Sequence, residues 1–189
     1  MTDVTPREDV RASELVGDRS EAAVAALVDE HQGAMSRLAR LVGRDRDAGA
    51  AVRRAWAAAL ARPGEQPEGT SVRGWLLKLV IDELELPPPP GEPPLVAPPA
   101  DFEESGRWAG WWRDDLPATP ESKRELLESA LASIPAALAA ILVLRDVEGI
   151  GADETALLTG DAPKRQLVLL HHGRAAVRNA LRASHEDLP

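Results

Sequence analysis

Residues 142–184 read LVLRDVEGIGADETALLTGDAPKRQLVLLHHGRAAVRNALRAS. An apolar run closes at Gly149, and a short helical segment, Ala152 to Leu158, then stops at Thr159-Gly160. A longer helix follows from about Pro163 to Ala183, with proline at its first turn, where a missing N–H costs nothing. A short helix, a glycine-containing turn and a basic helix make the outline of a helix-turn-helix. From Ala162 to Ser184 the chain carries Lys164, Arg165, Arg174, Arg178 and Arg182 and no acidic residue, so this segment is the local electrostatic footprint for DNA.

Upstream, Thr119-Pro120-Glu121 joins a cap residue, a first-turn proline and an acid, which starts a helix. That helix runs through Leu126, Leu127, Ala130, Leu131 and Ile134 to Pro135, and another takes Leu138, Ile141, Leu142, Leu144 and Val147 to Gly149. Four helices thus fill residues 118–184, with a short tail at 185–189. Before them, Pro87 to Pro99 contains eight prolines, which cannot sit in a helix interior and favour an extended path. Residues 87–117 therefore read as a linker. It ends on Trp108, Trp111 and Trp112, which either pack the linker back onto a domain or contact a partner protein, where tryptophan is enriched at energetic centres.

An N-terminal helical unit occupies residues 20–86. Ala23, Leu27, His31, Met35, Leu38, Leu41 and Val42 recur at helical spacing behind Ser20 as N-cap. An alanine-rich helix from Ala48 to Ala61 carries Val52, Trp56 and Leu60 and stops at Pro63-Gly64. Ser71 caps a third helix with Val72, Trp75, Leu76, Leu79 and Val80 on a wide apolar face. Residues 1–19 show charge without periodicity and read as a disordered leader. The expectation is an all-α protein of two small helical domains joined by a proline-rich linker, with no large interface between them.

Composition narrows the function. The net charge of −9 argues against a protein that coats nucleic acid unaided, because duplex binding rests on neutralising phosphates. With no Cys there is neither a disulfide nor a thiolate metal site, and a reducing, cytoplasmic setting fits. The N-terminus lacks the apolar core of a signal peptide, and no run reaches the roughly 20 apolar residues of a membrane span. No HExxH motif or glycine-rich phosphate loop is present, and adjacent His171 and His172 point about 100° apart on a helix, away from a shared metal. The expectation is therefore no catalytic residue, no metal and no cofactor.

Several stretches resemble one family. Leu142-Val143-Leu144-Arg145-Asp146-Val147-Glu148-Gly149-Ile150 is similar to the segment that introduces the region 4 helix-turn-helix of extracytoplasmic-function sigma factors. Ser133-Ile134-Pro135, Val168 to Arg174, and Ser71-Val72-Arg73-Gly74-Trp75-Leu76-Leu77 of a region 2-like part resemble further elements of that family, as does Asp101-Phe102 with Gly106-Arg107-Trp108 in the linker. The resemblance implies a protein that binds core RNA polymerase, region 2 reading and melting the −10 promoter element and region 4 reading the −35 element, under possible control by an anti-sigma factor or another regulator.

On the recognition helix, Lys164 and Arg165 suit phosphates or guanine edges, and Gln166 suits a base edge. His171 and His172 lie on the same helix as further candidate DNA contacts, and Arg174 and Arg178, four apart, suit the backbone. Region 2 departs from the family pattern. Asp45 to Trp56 carries alanine and arginine where acid and glutamine are usual, and Leu79 to Leu86 carries three acids where basic residues are usual. This leaves a second reading open, a degenerate sigma-like adaptor that binds a transcription protein without initiating, its contact surface formed by Arg53, Arg54, Trp108, Trp111 and Trp112.

Overall fold

The computed structural model describes residues 20–44, 46–87 and 120–186. The leader, the proline-rich stretch and Trp108, Trp111 and Trp112 lie outside the described residues. Helix α1 (Glu21–Gly43) begins where extended Ser20 accepts the Ala23 N–H at 3.2 Å, with Glu21 favourably placed at the positive end of the helix dipole. Its buried stripe of Leu27, His31, Ala34, Met35, Leu38, Ala39 and Val42 follows the three- and four-residue rule. Helix α2 (Ala48–Ala61) is capped by Asp47, which accepts the Ala50 N–H at 2.8 Å, and ends before a single 3₁₀ turn at Pro63–Glu65. Helix α3 (Val72–Glu83) starts at Ser71 and buries Val72, Trp75, Leu76, Leu77 and Val80.

The second half comprises α4 (Pro120–Ser133), α5 (Ala136–Leu142), α6 (Ala152–Thr159) and α7 (Pro163–Glu186). Helix α5 runs into a π-helical turn at Val143–Val147. The fold is all-α, with helix as the regular structure throughout the described residues.

Helices α1, α2 and α3 pack on one another, as do α4, α5 and α7, while α6 lies on α7. The two groups also pack together, α1 against α4 and α5, and α3 against α6. One continuous core results, in which Met35, Leu38 and Val42 join Ile134, Leu138 and Leu142. The expectation of units without a substantial interface is thus corrected. The reason lies in α5, where Ala136, Leu138, Ala139, Ala140, Ile141 and Leu142 are all buried. A helix apolar on every side needs cover on every side, and α7 and α1 supply it from opposite units. Arg44, at the end of α1, also donates to the Ile134 carbonyl at the end of α4.

Trp56 and Trp75 are buried, and the Trp56 indole N–H donates to Gln32 Oε1 at 2.5 Å. Replacing either tryptophan by Ala is expected to cost about 3–5 kcal/mol of stability, measured by chemical denaturation followed by far-ultraviolet circular dichroism. A loss below about 1 kcal/mol at both positions would contradict this packing.

Candidate nucleic-acid interface

Helices α6 and α7, joined through Gly160 and a short turn, occupy the segment in which the sequence led to the expectation of a helix-turn-helix. Gly160 ends α6 at φ 70 and ψ 13, a left-handed conformation that glycine adopts without steric cost. Within α6 the Thr155 hydroxyl donates to the Gly151 carbonyl at 2.8 Å and the Thr159 hydroxyl to Thr155 at 3.0 Å, closing the polar groups of a short helix. Gly173 lets α5 approach α7, since a Cβ there would meet Leu142 Cγ at 3.0 Å.

The phase of α7 decides which side chains can face a ligand. Gln166, Leu169, Leu170, Gly173 and Val177 form its buried stripe. On the other side Lys164 and Leu167 are exposed, with Val168, His171 and His172 half-buried beside them. Gln166 is only 1% exposed, so its expected contact with a base edge is corrected: three and four residues before Leu169 and Leu170, it belongs to the core face. Arg178 is corrected for the same reason. It is 6% exposed beside Val177, its guanidinium 3.3–3.4 Å from Asn179 Oδ1.

Two other expected DNA contacts are engaged within the protein. Arg174 donates to both oxygens of Asp146 at 2.6 and 2.9 Å, and those hydrogen bonds hold its guanidinium above the ordinary arginine pKa against the opposing effect of burial. Arg165 sits 3.1 Å from Asp161 in the preceding turn, with its side chain 39% exposed. On the partner side, Arg53 is exposed, 3.9 Å from Asp47. Arg54 donates to the Glu83 carboxylate at 2.6 Å and to the Glu83 carbonyl at 2.9 Å, tying α2 to the last turn of α3. Among the described residues no group of three or more His, Asp or Glu side chains is placed to hold a metal ion. No described helix is long and apolar enough to cross a membrane.

Sequence reading missed a polar cluster where α6 meets the N-terminal unit. The π-helical turn brings the Glu148 N–H to the Val143 carbonyl at 2.8 Å and that of Ile150 to Leu144 at 2.8 Å, turning Glu148 inward. Its side chain is wholly enclosed and accepts from Arg37 Nε at 2.7 Å, Arg37 Nη2 at 3.0 Å, and Arg73. Burial, the largest single influence, pushes the Glu148 carboxyl up, but the hydrogen bonds and charges of the two arginines together outweigh it and hold the group below its ordinary value. His31, buried on α1, is held below the usual histidine range by desolvation first, with Glu30 opposing and Arg73 reinforcing. The acid inside the Val-Glu-Gly motif was visible in the sequence, but nothing in its spacing points to partners 111 and 75 residues away.

A solved structure shares this fold: CnrH in complex with the cytosolic domain of CnrY. The two chains superpose with a TM-score of 0.61 at 19% identity, covering 91% of this chain and 95% of that one. At this identity the likeness is one of fold. No protein-family model and no curated protein matches the chain by sequence.

The buried groups set the acid response. For His31, whose folded-state pKa is lowered, the unfolded chain takes up the proton first, so stability falls as pH drops below 6.5. Glu148, also lowered, contributes stability that is complete above 4.5 and lost as pH falls through its folded-state value. The melting temperature is therefore expected to decline in two stages on acidification from pH 7. Glu148→Gln should flatten the limb below pH 4.5 and His31→Leu the limb below pH 6.5; unchanged pH profiles in both variants would refute the assignment.

Proposed function

We propose that this chain is a sigma-type transcription factor that binds core RNA polymerase and directs it to promoter DNA, its helix-turn-helix reading the −35 element. One observation carries the reading: α6, Gly160 and α7 have the outline of a helix-turn-helix within a helical fold shared with CnrH over 91% of this chain. The local chemistry supports it. Lys164 is exposed in the first turn of α7, the part of such a helix that enters the major groove, and Arg165 lies beside it, partly exposed and paired with the half-buried Asp161. Leu167 and His171 continue the same accessible face. The reading set proposed from the structure is thus Lys164 and Arg165 for recognition, with His171 and His172 flanking. CnrH was solved in complex with the cytosolic domain of CnrY, and by analogy a regulatory protein partner, such as an anti-sigma factor, is proposed for this chain.

A degenerate sigma-like adaptor is the second reading. It is favoured by the withdrawal of Gln166 and Arg178 into the protein and of Arg174 onto Asp146, which leaves a thin basic face on a chain of net charge −9. Reconstitution separates the two. A sigma factor added to purified core polymerase forms a stoichiometric complex and starts transcripts from a defined site on genomic promoter fragments. An adaptor forms a complex without a transcript.

Position on α7 should decide each substitution's effect. Lys164→Ala is expected to weaken binding to specific and scrambled duplexes alike and to reduce the salt dependence. Arg165→Ala is expected to relax base preference by about 1–3 kcal/mol. Gln166→Ala should lower thermal stability while leaving base preference unchanged. Binding isotherms at several salt concentrations, with melting curves beside them, check all three. If Lys164→Ala and Arg165→Ala leave DNA association untouched, the adaptor becomes the better account.

A further inference from the structure

Direct reading of a base sequence needs side chains that reach base edges, and the phase of α7 leaves few polar ones for the task. Gln166 lies in the core, and Arg165 is paired with Asp161. The residue that follows them on the open side is apolar. Leu167 is 51% exposed, and among the described residues of α7 it is the one large apolar side chain so open to water. Lone leucines are ordinary on protein surfaces, so its place on the helix has to carry the argument.

Leu167 is the fifth residue of α7, three after exposed Lys164 and four before half-buried His171, and those spacings put the three on one side of the helix. Buried Gln166, Leu169, Leu170 and Gly173 run along the other side. A rotation of α7 that covered Leu167 would bring Leu169 or Leu170 into water, so the leucine is held outward by its better-covered neighbours. Half-buried Val168 adjoins it. The result is an apolar spot behind a lysine, and the surface that complements it carries negative charge around an apolar group. A major groove at a thymine has that character: phosphates line its walls, and the C5 methyl is the one methyl group that the four bases display there.

We propose that Leu167 contacts the C5 methyl of a thymine in the promoter element bound by α7, so that apolar contact forms part of the base preference of this chain. The proposal rests on the sigma-type reading and adds to it one base and the side chain that selects it. Any other base at that position would set Leu167 against hydrogen-bonding groups, whose water it would displace without replacing the bonds.

The test uses the full chain with purified core polymerase, on a promoter fragment from which the two start a transcript. Each thymine of the −35 element, on either strand, is replaced in turn by deoxyuridine, which pairs alike and lacks only the C5 methyl. For the parent chain, one such replacement is expected to weaken the complex about fourfold, the value of one buried methyl-sized group. Leu167→Ala is expected to bind the thymine duplex at least fourfold more weakly and the thymine and uracil duplexes alike, because both changes remove one shared contact. Leu167→Met, flexible and similar in volume, is expected to keep the preference for thymine. Melting curves check that both variants fold; should Leu167→Ala lose its fold, the uracil series on the parent and on Leu167→Met decides the matter. A parent chain indifferent to every uracil overturns the contact. So does a uracil effect that persists undiminished in folded Leu167→Ala, since another side chain then reads the methyl. If Leu167→Ala loses core polymerase without DNA present and keeps the thymine preference, the leucine meets a protein and the proposal fails. These three outcomes leave the sigma-type reading standing, whereas a parent chain that forms no promoter complex with core polymerase overturns that reading and the thymine contact together.

Discussion

A carboxylate removed from water must be answered by opposite charge or hydrogen bonds, and Glu148 sets that demand at the centre of this molecule. Its partners come from two helices of the other half of the chain, Arg37 on α1 and Arg73 on α3. Satisfying the acid therefore fixes how the halves meet, in a way that apolar contact alone would leave free to slide. The π-helical turn at Val143–Val147 immediately precedes Glu148, whose side chain is enclosed at the interface. Apolar burial then follows, with α5 enclosed between α7 and α1.

The pair α6 and α7 inherits its orientation from this junction. Helix α6 is bound through Glu154 to the start of α3, and α7 is set against α5 by the close approach at Gly173. With α7 held in that phase, Lys164, Leu167 and His171 face outward, and Gln166 lies in the core although it adjoins Arg165 in sequence. Basic residues on a helix are a set of charges of which only some remain available. Arg174 is neutralised by Asp146 and Arg178 is enclosed, so the electrostatic footprint is narrower than its composition.

Local order was legible because its causes are local. Ser20 and Ser71 each cap the helix that follows by accepting an N–H three residues on, an interaction written within four residues. Gly160 with Pro163 marked the turn, and periodicity placed Trp56 and Trp75 on inward faces. The basic helix α7 was found but not its rotation: Lys164, Arg165 and Gln166 are equivalent to a count of charge and polarity, and which of them is buried depends on where α5 and α6 press against α7.

By itself, then, the sequence determined the helical class and the approximate positions of the described helices, through caps, breakers and spacing that act within a few residues. Tertiary structure alone decided that the halves share one core, that Glu148 draws in Arg37 and Arg73, and that Glu154 completes the cap of α3 in place of a side chain absent at Gly74. Those contacts join residues 75 to 111 positions apart. Burial sets their strength, and burial is a property of the packed whole, which no window of sequence contains.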